Sequence, residues 1–166
     1  MKIRTMLVAA AGVALAGPAL AQGTMGPQAE KNVSMAMAQA IIAATVEQCT
    51  KDGYKVSVVI VDKAGQVAAS LRGDGTNPHT MEFAKMKAYT SRTRGQTSLE
   101  FMKLSMATPE GGLLRQIPGV VAIGGGVPIK AGAEVIGGIG VSGAPGGEKD
   151  EVCANAGIAK VADALK

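Results

Sequence analysis

A single histidine, His79, bounds the metal and acid–base chemistry open to this chain of 166 residues. It lies in "GDGTNPHT", Gly73 to Thr80, where two glycines and a proline exclude regular structure and deliver the chain to a helix. One histidine rules out multi-histidine metal sites and leaves no Ser-His-Asp triad with a spare. At this loop-to-helix junction a neutral imidazole offers a ring nitrogen to iron. The other reading of His79 is a helix cap beside Asn77 and Thr80. Arg72 and Lys85 are within sequence reach of the junction, and Arg92 follows. All three can pair with acidic groups of a ligand, although exposed basic residues are mostly just solvated. Tyr89 is either an alternative oxygen ligand or a buried amphipathic ring. Met81 and the other methionines read as core filler. Asp74 joins His79 as the only attractive general base in the loop. Glu148 and Glu151, with Asp150 between them, suit the first turn of a helix, whose dipole they complement.

The elements that must position these residues follow from spacing. Val33, Met37, Ile41, Ala44 and Gln48 give a helix from about residue 29 to 52, stopped by Asp52-Gly53. "YKVSVVIVD" is a buried strand, Asp62 to Gly65 a turn, and "QVAASLR" the returning strand of a hairpin. A helix from about Thr80 to Arg94 ends at Gly95. Thr97 and Glu100 form the capping box of a short helix through about Met106. A loop centred on "TPEGG" follows. Three strands are then expected, "GVVAIGG", "VPIKAG" and "EVIGGIGVSG", with Lys130 to Glu134 turning between the last two. Pro128 places the middle one at an edge or a bulge. A final helix runs from Glu148 to about Leu165. The expected fold is α+β, a largely antiparallel sheet covered by helices.

The glycine-rich stretch from Val121 to Glu151 invites a phosphate-binding reading that its letters do not support. Gly124 to Lys130 lacks the Gly-Lys-Ser/Thr ending of a Walker loop. "GIGVSG" has dinucleotide-fingerprint spacing but falls within a hairpin instead of opening a helix after a parallel strand. Glycine in strands more often marks a bulge, a helix packed closely on the sheet, or the approach of a flat ligand. The "GAPGG" loop can also bind an anion at a helix start, in a field its acidic first turn partly occupies.

Residues 1–21, "MKIRTMLVAAAGVALAGPALA", read as a signal peptide: Lys2 and Arg4, an apolar run from Leu7 to Leu15, and a small-x-small site at Ala19 to Ala21. An amphipathic first helix is the other reading. Residues 22–166 then form a single domain in the periplasm or outside the cell. Without Lys2 and Arg4 the formal charge of +4 is halved. With no Trp, two Phe and two Tyr, neither charge nor stacking favours nucleic acid, and no apolar run is long enough to span a bilayer. Cys49 and Cys153 lie on the first and last expected helices, and are a disulfide if those helices are neighbours or two buried thiols if not. No CxxC occurs, which removes thioredoxin-like and structural zinc sites.

The segments "VSVVIVDKAGQVAASLRGDG", "NPHT" leading to "KAYTSRT", and "GGGVPIKAGAEVIGGIGVSGAPGGEKDEVCANAGI" resemble the GlcG/HbpS haem-binding family, in its exported branch. The likeness spans nearly all of the mature chain. It implies a profilin-like three-layer domain with a five-stranded antiparallel sheet, and homo-oligomers from dimer to octamer. It also implies binding of haem or a related tetrapyrrole, which several members show and others do not. Some members ligate haem through a histidine, which supports His79 as axial ligand. Arg72, Lys85 and Arg92 would then face the propionates. Glu148 and Glu151 have the Glu-x-x-Glu spacing of iron-binding pairs in the namesake type. The expected function is haem binding, for buffering or sensing, without classical catalysis. The alternative is an accessory protein or enzyme acting on a small metabolite of an oxidative pathway.

Overall fold

A computed structural model describes residues 26–166. The expected signal peptide falls outside the described residues. Helix α1, Met35–Lys51, starts at Ser34, whose hydroxyl accepts from the Met37 N–H. Strands β1, Ser57–Val61, and β2, Val67–Arg72, form the first hairpin. Helix α2, Thr80–Arg94, ends as expected at Gly95, in the left-handed region at φ 65°. Helix α3, Ser98–Ala107, carries the Thr97–Glu100 capping box. Helix α4, Pro109–Leu113, corrects the loop expected at "TPEGG". Thr108 caps its start through the Gly111 N–H and Pro109 fits its first turn. The second hairpin is β3, Gly126–Ala131, and β4, Glu134–Ser142. Helix α5, Gly147–Ala159, is followed by a short 3-10 turn at Ala162–Leu165.

The sheet has four strands in the order β2-β1-β4-β3, antiparallel throughout, not the five expected. "GVVAIGG" forms no strand because side chains from distant helices take its backbone groups. The Val121 N–H donates to Thr90 Oγ1 (2.9 Å) and the Gly125 N–H to Glu151 Oε1 (3.3 Å), while the Gly126 N–H, at the start of β3, donates to Ser98 Oγ (2.8 Å). Gly125 adopts φ 115°, which a side chain would resist. Pro128 lies on the edge strand, and β3 slips register at Ile129/Lys130.

Helices cover both faces, giving three layers. Val58, Ile60, Ile129, Ile139 and Val141 point to one side, against Ile41 and Ile42 of α1 and Ala154 of α5. The first and last helices are thus neighbours, and Cys49 and Cys153 are joined there in a disulfide, both fully buried. On the other face Val59 and Val61 meet Ala84 and Ala88 of α2. Here β4 presents Gly138 and Gly140, and β3 presents Gly126. A Cβ at Gly140 would overlap the Ala84 carbonyl oxygen, and one at Gly126 the Lys87 carbonyl oxygen. The glycine stretch therefore brings α2 close against the sheet, and α2 carries His79 at its start.

Candidate functional site

The first turn of α2 is pinned by hydroxyls. Thr80 Oγ1 donates to the Asn77 carbonyl (2.8 Å), and Thr80 Oγ1 and Ser57 Oγ, at the start of β1, lie 2.8 Å apart and share a buried hydrogen bond. His79 occupies the N-cap position at φ −75°, ψ −14°, and its side chain makes no capping hydrogen bond, contrary to the capping reading. The imidazole is exposed and stands edge-on to Phe83 one turn later, with ring centroids 5.6 Å apart and planes at 86°.

Beside His79 a groove of about 350 Å³ runs between α2, the end of β4 and the "GAPGG" loop. Phe83 and Ile123 supply apolar surface, while Gly143, Gly146 and Gly147 leave one wall almost without side chains. On its floor lies a buried ion pair. Lys87 Nζ donates to Asp150 Oδ2 (2.8 Å) and to the Val141 carbonyl (2.9 Å), and Asp150 Oδ1 accepts from the Ala144 N–H (3.0 Å). Both side chains are 3% exposed. Burial pushes the Asp150 carboxyl above the ordinary carboxylate range, and the charge and hydrogen bond of Lys87 draw it part of the way back. Lys87 was not among the sequence candidates. Its signal is a lysine three residues after Ala84 and beside Ala88, on the face of α2 that turns inward.

The other candidates do not gather at this groove. Lys85 and Tyr89 line a separate hollow of about 460 Å³. The Tyr89 ring is held there by turns at Gly65 (φ 78°) and Gly119 (φ 80°), whose Cβ positions would press on it. Arg92 Nε donates to the Lys63 carbonyl (2.7 Å), tying α2 to the first hairpin turn. Arg72, at the end of β2, leans on Thr76 Oγ1 (3.3 Å) and the Thr76 carbonyl (3.4 Å), and with Asp74 lines a hollow at the α1–β1 turn. Glu148 is exposed, whereas Glu151 Oε1 accepts from the Leu99 N–H (3.1 Å) as well as from Gly125. Among the described residues no group of three or more His, Cys, Asp and Glu side chains gathers to hold a metal ion, and no helix is long and apolar enough to cross a membrane.

Comparison with known proteins follows the same lines. A family model described as "Haem degrading protein HbpS-like" matches residues 33–159. Protein GlcG of Escherichia coli strain K12 is 29% identical over 110 residues, covering 66% of this chain and 81% of the relative. The crystal structure of HbpS superposes with a TM-score of 0.76 at 36% identity, covering 84% of this chain and 97% of that one. The crystal structure of a PduOC–haem complex gives a TM-score of 0.70 at 27% identity, covering 76% and 93%.

Proposed function

We propose that this chain, which belongs to the HbpS-like family, is a haem-binding protein in which the His79 imidazole is the axial ligand to iron. The observation that carries this reading is the exposed ring of His79, uncommitted to capping and edge-on to Phe83 at a groove lined also by Ile123 and by Gly143, Gly146 and Gly147. Phe83 and Ile123 match the apolar faces of a macrocycle, and Gly143, Gly146 and Gly147 present backbone to it. Haem would supply an iron with an open axial position that a histidine nitrogen fills. The family description and the haem complex of a structural relative support the same cofactor. The role is binding, buffering or sensing. The metabolite-enzyme alternative rests on Asp74 and His79 as bases, and among the described residues neither stands beside a nucleophile that it could activate.

Titration of the purified protein with hemin is expected to give a shifted Soret band, and His79→Ala to abolish the shift while the far-UV circular dichroism stays unchanged. The same spectrum in both proteins would reject His79 as the ligand.

The proposal extends to an exported mature protein beginning near Gln22, periplasmic or secreted, that assembles as a homo-oligomer between dimer and octamer. The disulfide supports an oxidising compartment. Exposed Leu104, Met106 and Leu113 on α3 and α4 support subunit contact. Intact mass and elution volume of protein recovered from its natural host test both parts. An uncleaved, reduced chain overturns export, and a monomer overturns assembly.

A further inference from the structure

The groove at His79 does not stop at α2. It shares Asn77, Thr80 and Gly143 with a neighbouring hollow of about 480 Å³. That hollow shares Gly53, Tyr54 and Lys55 with the hollow of about 590 Å³ beneath Arg72. The three make one trough across the end of the sheet where β1 begins and β2 and β4 finish.

Its two ends differ in chemistry. The His79 end is imidazole, Phe83 and Ile123, with the cation of Lys87 already paired to Asp150. The far end collects cations around one aromatic ring. The Lys149 ammonium lies 5.7 Å from the centroid of Tyr54. Lys55 passes beside Gly75, where a Cβ would come within 3.1 Å of its Nζ, so the glycine leaves the ammonium its space. Arg72 commits only two of its N–H groups, both to Thr76. Among the described residues none of these three cations forms a salt bridge, and Asp74 is the single carboxylate lining the far hollow.

We infer that Lys55 and Arg72 receive the two carboxylates of a tetrapyrrole whose iron meets His79, an inference that rests on the haem reading above. Iron protoporphyrin is an apolar plate with a central metal and both propionates on one edge. The row of hollows carries a like asymmetry, with His79 and apolar side chains at one end and cations at the other. Lys85 and Arg92, lying elsewhere, take no part. Each contact is exposed and weak on its own, and two together amount to about tenfold in affinity at moderate salt.

The test compares iron protoporphyrin IX with its dimethyl ester, the same plate without the charges, by absorbance titration. Wild type is expected to bind the diacid about tenfold more tightly than the diester. The double variant Lys55→Ala/Arg72→Ala is expected to lose that preference and keep the His79-dependent Soret position. Lys85→Ala is expected to retain it. Equal affinity of wild type for both porphyrins, or a preference surviving in the double variant, overturns the assignment while haem binding stands. Wild type that binds neither porphyrin removes the haem reading, and this inference with it.

Discussion

Replacing Lys87 by Met destabilises the fold by about 3–5 kcal/mol, the cost of leaving a buried charge without its partner. Methionine nearly matches lysine in length, so the loss is electrostatic, not a cavity. Asp150 remains buried with only the Ala144 N–H, and the Val141 carbonyl loses its donor. In a domain of this size the melting temperature falls by about 10 °C or more. The companion variant Lys87→Met/Asp150→Leu removes both charges and is expected to be the more stable of the two. It stays below wild type, because Val141 and Ala144 each keep an unsatisfied backbone group at about 1–3 kcal/mol. Urea unfolding of the three proteins decides the matter. A loss below about 1 kcal/mol in the single variant, or a double variant no better than the single, contradicts a buried charged pair. The pair also fastens the loop that walls the His79 groove, so the variants are expected to weaken hemin binding in the order of their destabilisation.

That pair marks the limit of what the chain's letters reveal. Helix α2 is legible at both ends because local chemistry sets them: Pro78 before its first turn, and Gly95 in the left-handed conformation after its last. The hairpins and the Thr97 box are equally local. The missing fifth strand is different. Whether Val121 joins a ladder depends on Thr90, and Gly125 on Glu151, partners 31 and 26 residues away that no periodicity records. The glycines of β4 are intermediate: their number signals a close approach, but that Gly138 and Gly140 face α2 while Ile139 and Val141 face α1 and α5 follows only from register. Helix α4 had a readable signal in Thr108-Pro109, masked by the glycine pair behind it. Of the candidate site residues, His79 is singled out by its junction alone, and the structure leaves its ring exposed and without a capping bond. Lys55 becomes visible only once the α1–β1 turn lies beside Gly75, because an isolated lysine in a loop carries no sign of what it borders.

Removing the disulfide with Cys49→Ala/Cys153→Ala lowers stability by about 2–5 kcal/mol. The bond spans 104 residues and joins α1 to α5. Closing so long a loop removes on the order of 4.7 kcal/mol of chain entropy from the unfolded state in the simplest model. The two helices do not depend on the bond alone. Gly157 of α5 sits against Thr45 and Ile41 of α1, where any side chain would overlap the Thr45 hydroxyl. The apolar layer beneath them also remains. The variant is therefore expected to fold and to keep its hemin spectrum, since His79 stands at the start of α2, which packs on the face of the sheet opposite to Cys49 and Cys153. A reductant is expected to lower the melting temperature of wild type toward that of the variant and to leave the variant unmoved. Wild type insensitive to reductant would mean the thiols are unpaired in solution, and would remove the support that the bond gives to an oxidising compartment. The bond thus acts on stability through the unfolded chain and His79 on haem binding through the iron, whereas the Lys87–Asp150 pair bears on both.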